Sequence, residues 1–476
     1  MKEKGEITVF LSLVSVLMLS FILAMLEGTI IQTAKNQAYL LGELALYSVF
    51  GEYQKELFDD YNVFALEGTY ETGTFSEEDV IHRMRYYGSD IEEQKVADIQ
   101  FLTDNMGQGF KEQVFYYMEE NYGIELVRDV IGWDHNWEQQ EIEGQQLEEA
   151  DKEAMEELWE QLAESEEELH PNSLISQMSN PRGRSVMSLI FPKEVTVSTK
   201  SITWDIQPSN RSLQVGRGVF PANSSAQGLE GKALFGEYVI SNFNNAASQI
   251  QKDKEGNFNE MEQAVEAGEE GLRGRTLDYE VEYILEGQSS DRQNLERIAL
   301  KLMAIRMGVN YLYLRGDTEK MTQVRVMAAS IVAVAPVPFL VAFIEKLIIF
   351  AWVFGESIMD LRALYAGKKA PLIKCSETWQ LSISSMLELG KDDNNLPGRD
   401  SEDGMSYADY LRTMLFTSNY NTITMRAIDR VEENIRHEHE KSFFKADNCI
   451  SKIRIDNTKE IRNDISYSFQ LYFGYL

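Results

Sequence analysis

Between Ile7 and Leu26 twenty residues pass without a charge, and no other feature limits more tightly what this chain can become. A helix of that length rises about 30 Å, the thickness of the hydrocarbon layer of a bilayer. The apolar core of a secretory signal is shorter, about 7–15 residues, and ends at a small-residue cleavage site. Here the run continues into Met25-Leu26-Glu27-Gly28. The reading is a retained transmembrane helix over residues 7–26, preceded by a short cytoplasmic leader over 1–6. Lys2 and Lys4, partly offset by Glu3 and Glu6, flank the short side, whereas the far flank opens with Glu27 and then offers Lys35. That bias places the amino terminus inside and the bulk of the chain outside, as a single-pass protein of the cell membrane.

The helical pattern outlasts the apolar run. Ala34, Ala38, Leu41, Ala45 and Val49 recur at spacings of three and four, which puts them on one helix face. An amphipathic continuation over 27–58 follows, with that face expected to pack against helices of neighbouring subunits. Gly28, Gly42 and Gly51 weigh against perfect continuity, each costing about 1 kcal/mol relative to Ala. A plain anchor followed by the first helix of a domain fits the same residues.

A polar leader ending in Gly5, an apolar helix and an amphipathic continuation resemble type IV pilins and the TadE/TadG-like pseudopilins of Tad-type pilus systems. The resemblance implies cleavage between Gly5 and Glu6 and a helix that packs into or beside a filament. Those families place a glutamate five residues after the cut, where this chain has Phe10. A second resemblance is spread over the chain: "YNVFAL" at Tyr61–Leu66, "LDYEVEYIL.G" at Leu277–Gly287, "WVFGESIMDLRAL..GKKAPLIK" at Trp352–Lys374, "YADYLRTMLF" at Tyr407–Phe416 and "DNCISKIRID" at Asp447–Asp456. In these the chain is similar to an uncharacterised single-pass family, a domain of unknown function, found with Tad-like pilus components of Gram-positive bacteria. That resemblance implies pilus or pseudopilin subunits as partners and brings no catalytic residues.

Residues 59–137 read as a mixed α/β segment. From Glu138 to Glu168 there are fourteen acids and one base, Lys152, so 138–170 is expected to be an acidic amphipathic helix. Proline- and glycine-marked loops make 171–235 a loop-rich linker with strands. Residues 236–476 should be a helical region that closes in a β-hairpin. Within it, alternation over Leu277–Leu285 predicts a half-exposed strand, and Ser290 and Ser406 each read as a helix cap. The apolar run Met327–Phe354 is broken by Pro336, Pro338 and Glu345-Lys346, which favours two short buried helices over a second span. At the end, Ile453 and Ile455 share a strand, Asp456-Asn457-Thr458 has turn chemistry, and Tyr467, Phe469, Leu471, Phe473 and Tyr475 alternate with smaller or polar residues, Tyr472 excepted. The fold class is α+β: a long amino-terminal transmembrane and amphipathic helix, then a mixed, mainly helical extracellular domain with antiparallel strands.

The net charge of −32 repels phosphate backbones, so nucleic acid is excluded as a partner. Cys375 and Cys449 lie in no metal-ligand spacing. They are open to two readings, an extracellular disulfide or two free buried thiols. His437 and His439, two apart, point to different sides of a helix. No P-loop, HExxH or GxSxG is present. The expectation is a protein that is not an enzyme, needs no cofactor and holds no metal. The alternative is an anchored surface enzyme or ligand-binding protein, which clustered ionisable groups around Trp352–Arg362 and Lys368–Lys374 lining a pocket would favour.

Overall fold

A computed structural model describes residues 2–122, 186–191, 197–202, 207–252, 258–262, 275–332, 338–386, 389, 396–462 and 465–475. The acidic segment 138–170 lies outside the described residues. In chain order the principal elements are α1 (Lys2–Phe50), α2 (Lys55–Tyr61), β1 (Leu66–Glu67), α3 (Glu77–Tyr86), β2 (Glu93–Phe101), α4 (Asp104–Tyr122) and α5 (Leu229–Asn242). There follow β3 (Ser248–Lys252), β4 (Phe258–Glu262), α6 (Glu280–Glu286), α7 (Asp291–Gly316), α8 (Thr318–Val332) and α9 (Pro338–Tyr365). The last are α10 (Tyr407–Thr417), α11 (Tyr420–Glu438), β5 (Cys449–Arg462) and β6 (Ile465–Gly474). The class is α+β, and the chain folds as two units interleaved in sequence: 1–113, 210–223 and 439–476 form one, and 114–209 and 224–438 the other.

The first unit is built on an antiparallel sheet with β5 at its centre. One edge of β5 pairs with β2, Ile99 opposite Ile453; the other edge pairs with β6, Ile455 opposite Leu471. β1 meets the first residues of β5, Leu66 opposite Ile450. The second half of α1 and the helix α3 cover one face, closing a core of Ala45, Val49, Phe50, Met84, Ile453 and Leu471. α3 starts at Ser76, whose hydroxyl accepts from the Glu78 amide, and carries Glu77, Glu78 and Asp79 in its first turn and Arg83 and Arg85 in its last. These charges complement the helix dipole. The expected hairpin is present, but Asp456-Asn457-Thr458 lies inside β5 and not at its turn. The pairing of both edges overrides the local turn preference, and the Gln94 side chain satisfies the buried Asn457 amide oxygen at 3.0 Å.

The second unit is mainly helical. Spacings of three and four put Leu295, Ile298, Leu302, Ile305, Val309 and Leu312 on one face of α7 and predict a core stripe; all but the half-buried Leu312 are buried, and the Ser290 hydroxyl caps that helix on Gln293. The Gln293 side chain turns to Ser289 instead of completing the box. Ser406 and Asp409 form a complete capping box on α10. The sequence after Ser406 predicts one helix to about His439; α10 instead stops at Thr417, and Asn419 starts α11 by accepting from the Thr422 amide at 3.1 Å. The described parts of the run Met327–Phe354 contribute to the core, with Ile348, Ile349, Trp352 and Val353 buried. It is carried by two long helices, not two short ones, and Pro338 is the first residue of α9, where its missing N–H costs nothing. β3 and β4 form a separate two-stranded antiparallel sheet.

One sequence expectation is overturned outright. Leu277–Leu285 is not a half-exposed strand: Glu280–Glu286 is a helix whose residues are all buried. Alternation of apolar and acidic residues implies a wet face only when the acids reach water. Here Glu280 and Glu282 turn inward and find donors.

Candidate functional site

Two features qualify as sites: the amino-terminal helix, and the charged groups buried in the second unit. α1 runs unbroken for 49 residues from Lys2 to Phe50. Residues 7–30 are exposed on every side. Within that stretch the Ser12, Ser20 and Thr29 hydroxyls donate to the carbonyls of Val9, Leu17 and Met25, each at 2.8 Å. These three hydroxyls are satisfied by the helix itself, as lipid surroundings would require. Among the described residues this is the one helix long and apolar enough to cross a membrane. Gly5 and Glu6 lie in its first turns. The helix ends at Phe50, short of the expected 58, where Gly51 follows and α2 begins separately at Lys55.

The second half of α1 is clamped to its own sheet. Ala38, Ala45 and Val49 are buried, and Ala34 and Leu41 half-buried. The face read as a contact for neighbouring helices is therefore taken by β6 and α3 of the same chain. The rings of Phe50 and Phe473 stack at 4.4 Å, Tyr47 meets Phe473 edge-on at 5.2 Å, and Tyr39 meets Phe469 at 5.7 Å. Gly42 lets the helix lie close: a Cβ there would sit 2.9 Å from Leu471. The aromatic face of β6, legible in the sequence, needed an apolar cover, and α1 supplies it.

In the second unit, four charges meet where the apolar α9 carries Glu356 and Asp360 one turn apart. Lys374 Nζ donates to Glu356 Oε1 and Asp360 Oδ1, both at 2.6 Å. Arg306 of α7 donates to Asp360 Oδ2 at 2.8 and 3.0 Å, and to the Pro371 carbonyl and the Tyr410 hydroxyl. All four side chains are fully buried. The second oxygen of Glu356 accepts from the Leu381 amide at 2.9 Å. Burial works against the Asp360 carboxylate, but the Arg306 and Lys374 charges prevail and hold its pKa below the usual range. For Glu356 burial prevails and the pKa rises, with Lys374 only partly offsetting it. Of the ionisable groups in Trp352–Arg362 and Lys368–Lys374, Glu356, Asp360 and Lys374 cluster, with Arg306 added, and their charges balance and bond internally, whereas Arg362 and Lys368 donate to the Leu189 and Gly398 carbonyls.

A second cluster, around α6 and α11, is rich in acid. Asp429 accepts from the Ser209 amide and the Tyr283 hydroxyl, both at 2.8 Å. Asp291 accepts from the Ser198 hydroxyl at 2.6 Å and the Asp278 amide at 2.9 Å. Glu282 Oε1 accepts from the Tyr407 hydroxyl at 2.7 Å and the Ala246 amide at 2.9 Å, while its Oε2 has no hydrogen-bond partner among the described residues. Arg430 pairs with Glu433 at 2.8 Å and lies over the Tyr283 ring at 4.1 Å. Burial pushes the Glu282 carboxyl up to about 7 and the Asp291 and Asp429 carboxyls up to about 6. The sequence reading missed this cluster. Its only signal was acids inside strongly apolar words such as "LDYEVEYIL".

Neither Cys375, which is exposed, nor Cys449, which is buried, is in a disulfide. The Thr378 hydroxyl beside Cys375 favours its thiolate and lowers its pKa. His437 is exposed in the last turn of α11, and His439 pairs with Asp60 at 2.6 Å.

Residues 164–461 match a family of unknown function, DUF5702. The chain belongs to that family. No curated protein and no solved structure matches it. The DUF5702 segment takes in both buried clusters and all of β5 but its last residue, and α1 lies before it.

Proposed function

We propose that this DUF5702 protein is a non-enzymatic, membrane-anchored extracellular component of a Tad-like pilus or secretion assembly of Gram-positive bacteria, pseudopilin-like in its amino terminus. One observation carries the reading: a single helix has a first half that is uncharged from Ile7 to Leu26 and bare, and a second half locked into the sheet of its own domain. Hydrophobic matching would hold residues 7–26 in the bilayer, with the amino terminus cytoplasmic. Because the helix is continuous, the first unit would be held at a fixed angle to the membrane and not swing on a linker. The internal bonding of both charge clusters supports a structural reading of them. Arg306, Lys374, Glu356 and Asp360 have their hydrogen-bonding capacity largely used inside the core, unlike groups held ready for a substrate.

The test is fractionation of native cells with intact-mass measurement. The protein is expected in the membrane or filament fraction, resistant to carbonate, with its bulk degraded by protease added outside the cell. Mass would show whether residues 1–5 have been removed. A full-length, carbonate-soluble protein in the cytosol would overturn the reading.

A further inference from the structure

The four charges buried in the second unit are arranged for more than pairing. Lys374 Nζ uses all three of its protons, on Glu356 Oε1 and Asp360 Oδ1 at 2.6 Å each and on the Thr378 carbonyl at 3.2 Å. The two oxygens of Asp360 are held differently. Oδ2 accepts from Arg306 Nε at 3.0 Å, from Arg306 Nη2 at 2.8 Å and from Asn310 Nδ2 at 3.0 Å. Oδ1 faces Lys374, with the Gln380 side-chain amide further off at 3.4 Å. The Arg306 guanidinium is itself fixed by the Pro371 carbonyl and the Tyr410 hydroxyl. Three fixed donors on one carboxyl oxygen are the setting that stabilises an oxyanion, and the amine on the other oxygen is a nucleophile in place. Glu356 is held by the Gln380 and Leu381 amides, both at 2.9 Å. It lies on the same ammonium, where it can take a proton and return it. An ion pair by itself does not require this division between the two oxygens.

We propose that Lys374 and Asp360 condense into an amide, a side-chain crosslink closed with the help of Glu356 and with loss of one water. The crosslink lies within the second unit and is independent of the membrane-anchored reading. A Lys374 ammonium proton passes to Asp360 Oδ1, leaving an amine and a neutral carboxyl. Nζ attacks Cγ, the N–C bond forms, and charge gathers on Oδ2 against Arg306 and Asn310. Glu356 takes a second proton from Nζ and hands it to Oδ1. The Cγ–Oδ1 bond breaks and water leaves. One proton stays on the amide nitrogen, Glu356 returns to its starting state, and nothing is oxidised or reduced. Burial raises the pKa of Glu356, which suits it to carry a proton. Of the two charges that hold Asp360 ionised, Arg306 and Lys374, the second disappears with the first proton transfer. Water opposes such a condensation, but the four side chains are closed to solvent. Groups held in this way react at an effective molarity of roughly 10⁵–10⁸ M.

The test is peptide mass spectrometry on the full-length protein, extracted from membranes, denatured and digested with trypsin. Trypsin does not cut after a lysine whose amine has become an amide. The expected product is peptide 347–362 joined to peptide 370–391, about 18 Da lighter than the two together. Fragment ions should place the link between Asp360 and Lys374. Intact masses repeat the test whatever happens at the amino terminus. Lys374→Arg and Asp360→Ala should each regain that deficit relative to wild type, beyond the change due to the substitution itself. Glu356→Gln, checked for a folded core by tryptophan fluorescence, should lower the linked fraction roughly tenfold or more. Wild-type protein that yields 370–374 and 375–391 as separate peptides of ordinary mass would overturn the proposal, and that result does not depend on whether any variant folds. A link from Lys374 to Glu356 would overturn it as well. Undiminished linkage in folded Glu356→Gln would overturn the proton path.

Discussion

Lys374 touches Glu356 and Asp360 within 2.6 Å in a site closed to water. Removing one member of a buried ion cluster leaves charge without a partner, which costs about 3–5 kcal/mol. Lys374→Met should therefore lower unfolding stability by that order in urea titration followed by tryptophan fluorescence, with no change in membrane association. Glu282 predicts a pH dependence. Its folded carboxyl ionises near 7, against 4.5 for the ordinary group. The folded state keeps a proton that the unfolded chain has released. This contribution is full below about 4.5, declines as pH rises to about 7 and is lost above it, about 3 kcal/mol in all. In Glu282→Gln that decline should disappear from a series of unfolding curves taken between pH 4 and 8. Asp291 and Asp429 act in the same direction up to about 6, so the variant should flatten the profile and not abolish its slope.

At the level of elements, α1 holds the first unit together. Ala45 is fully buried between helix and sheet, where an aspartate would have no partner. Ala45→Asp should cost several kcal/mol and open the first unit to limited proteolysis, while residues 7–26 keep the protein in the membrane fraction. Gly42→Leu should act in the same direction through overpacking, since even a Cβ there crowds Leu471 and Ile91. The same helix shows what could be read from sequence. Its apolar span and its sheet-covered face follow from charge spacing and a period of 3.6, whereas its end at Phe50, short of 58, does not. The occupant of that face does not, because the aromatic alternation of β6 lies more than 400 positions further along. The second strand edge over Asp456–Thr458 was hidden for a like reason: neighbouring strands, not local turn propensity, decided its conformation.

For the whole molecule, the exposure of residues 7–30 makes the anchor separable. A chain lacking residues 2–30 should be soluble without detergent and keep the far-UV circular dichroism of the remaining helices and strands. Aggregation of that truncated chain would show that the first half of α1 supports the fold as well as anchoring it. What the sequence determined by itself was whatever depends on near neighbours: the uncharged cylinder of α1, the stripe of α7, the cap at Ser406 and the alternation of β6. Tertiary structure decided whatever depends on who supplies the missing partner. Glu280 and Glu282 read as solvated charges, and Glu356 and Asp360 as ionisable groups without a partner in the sequence, until Asn244, Tyr407, Lys374 and Arg306, distant in the chain, surround them. A buried polar group is stable only when its hydrogen bonds are made, and the residues that make them are brought together only by the folded chain.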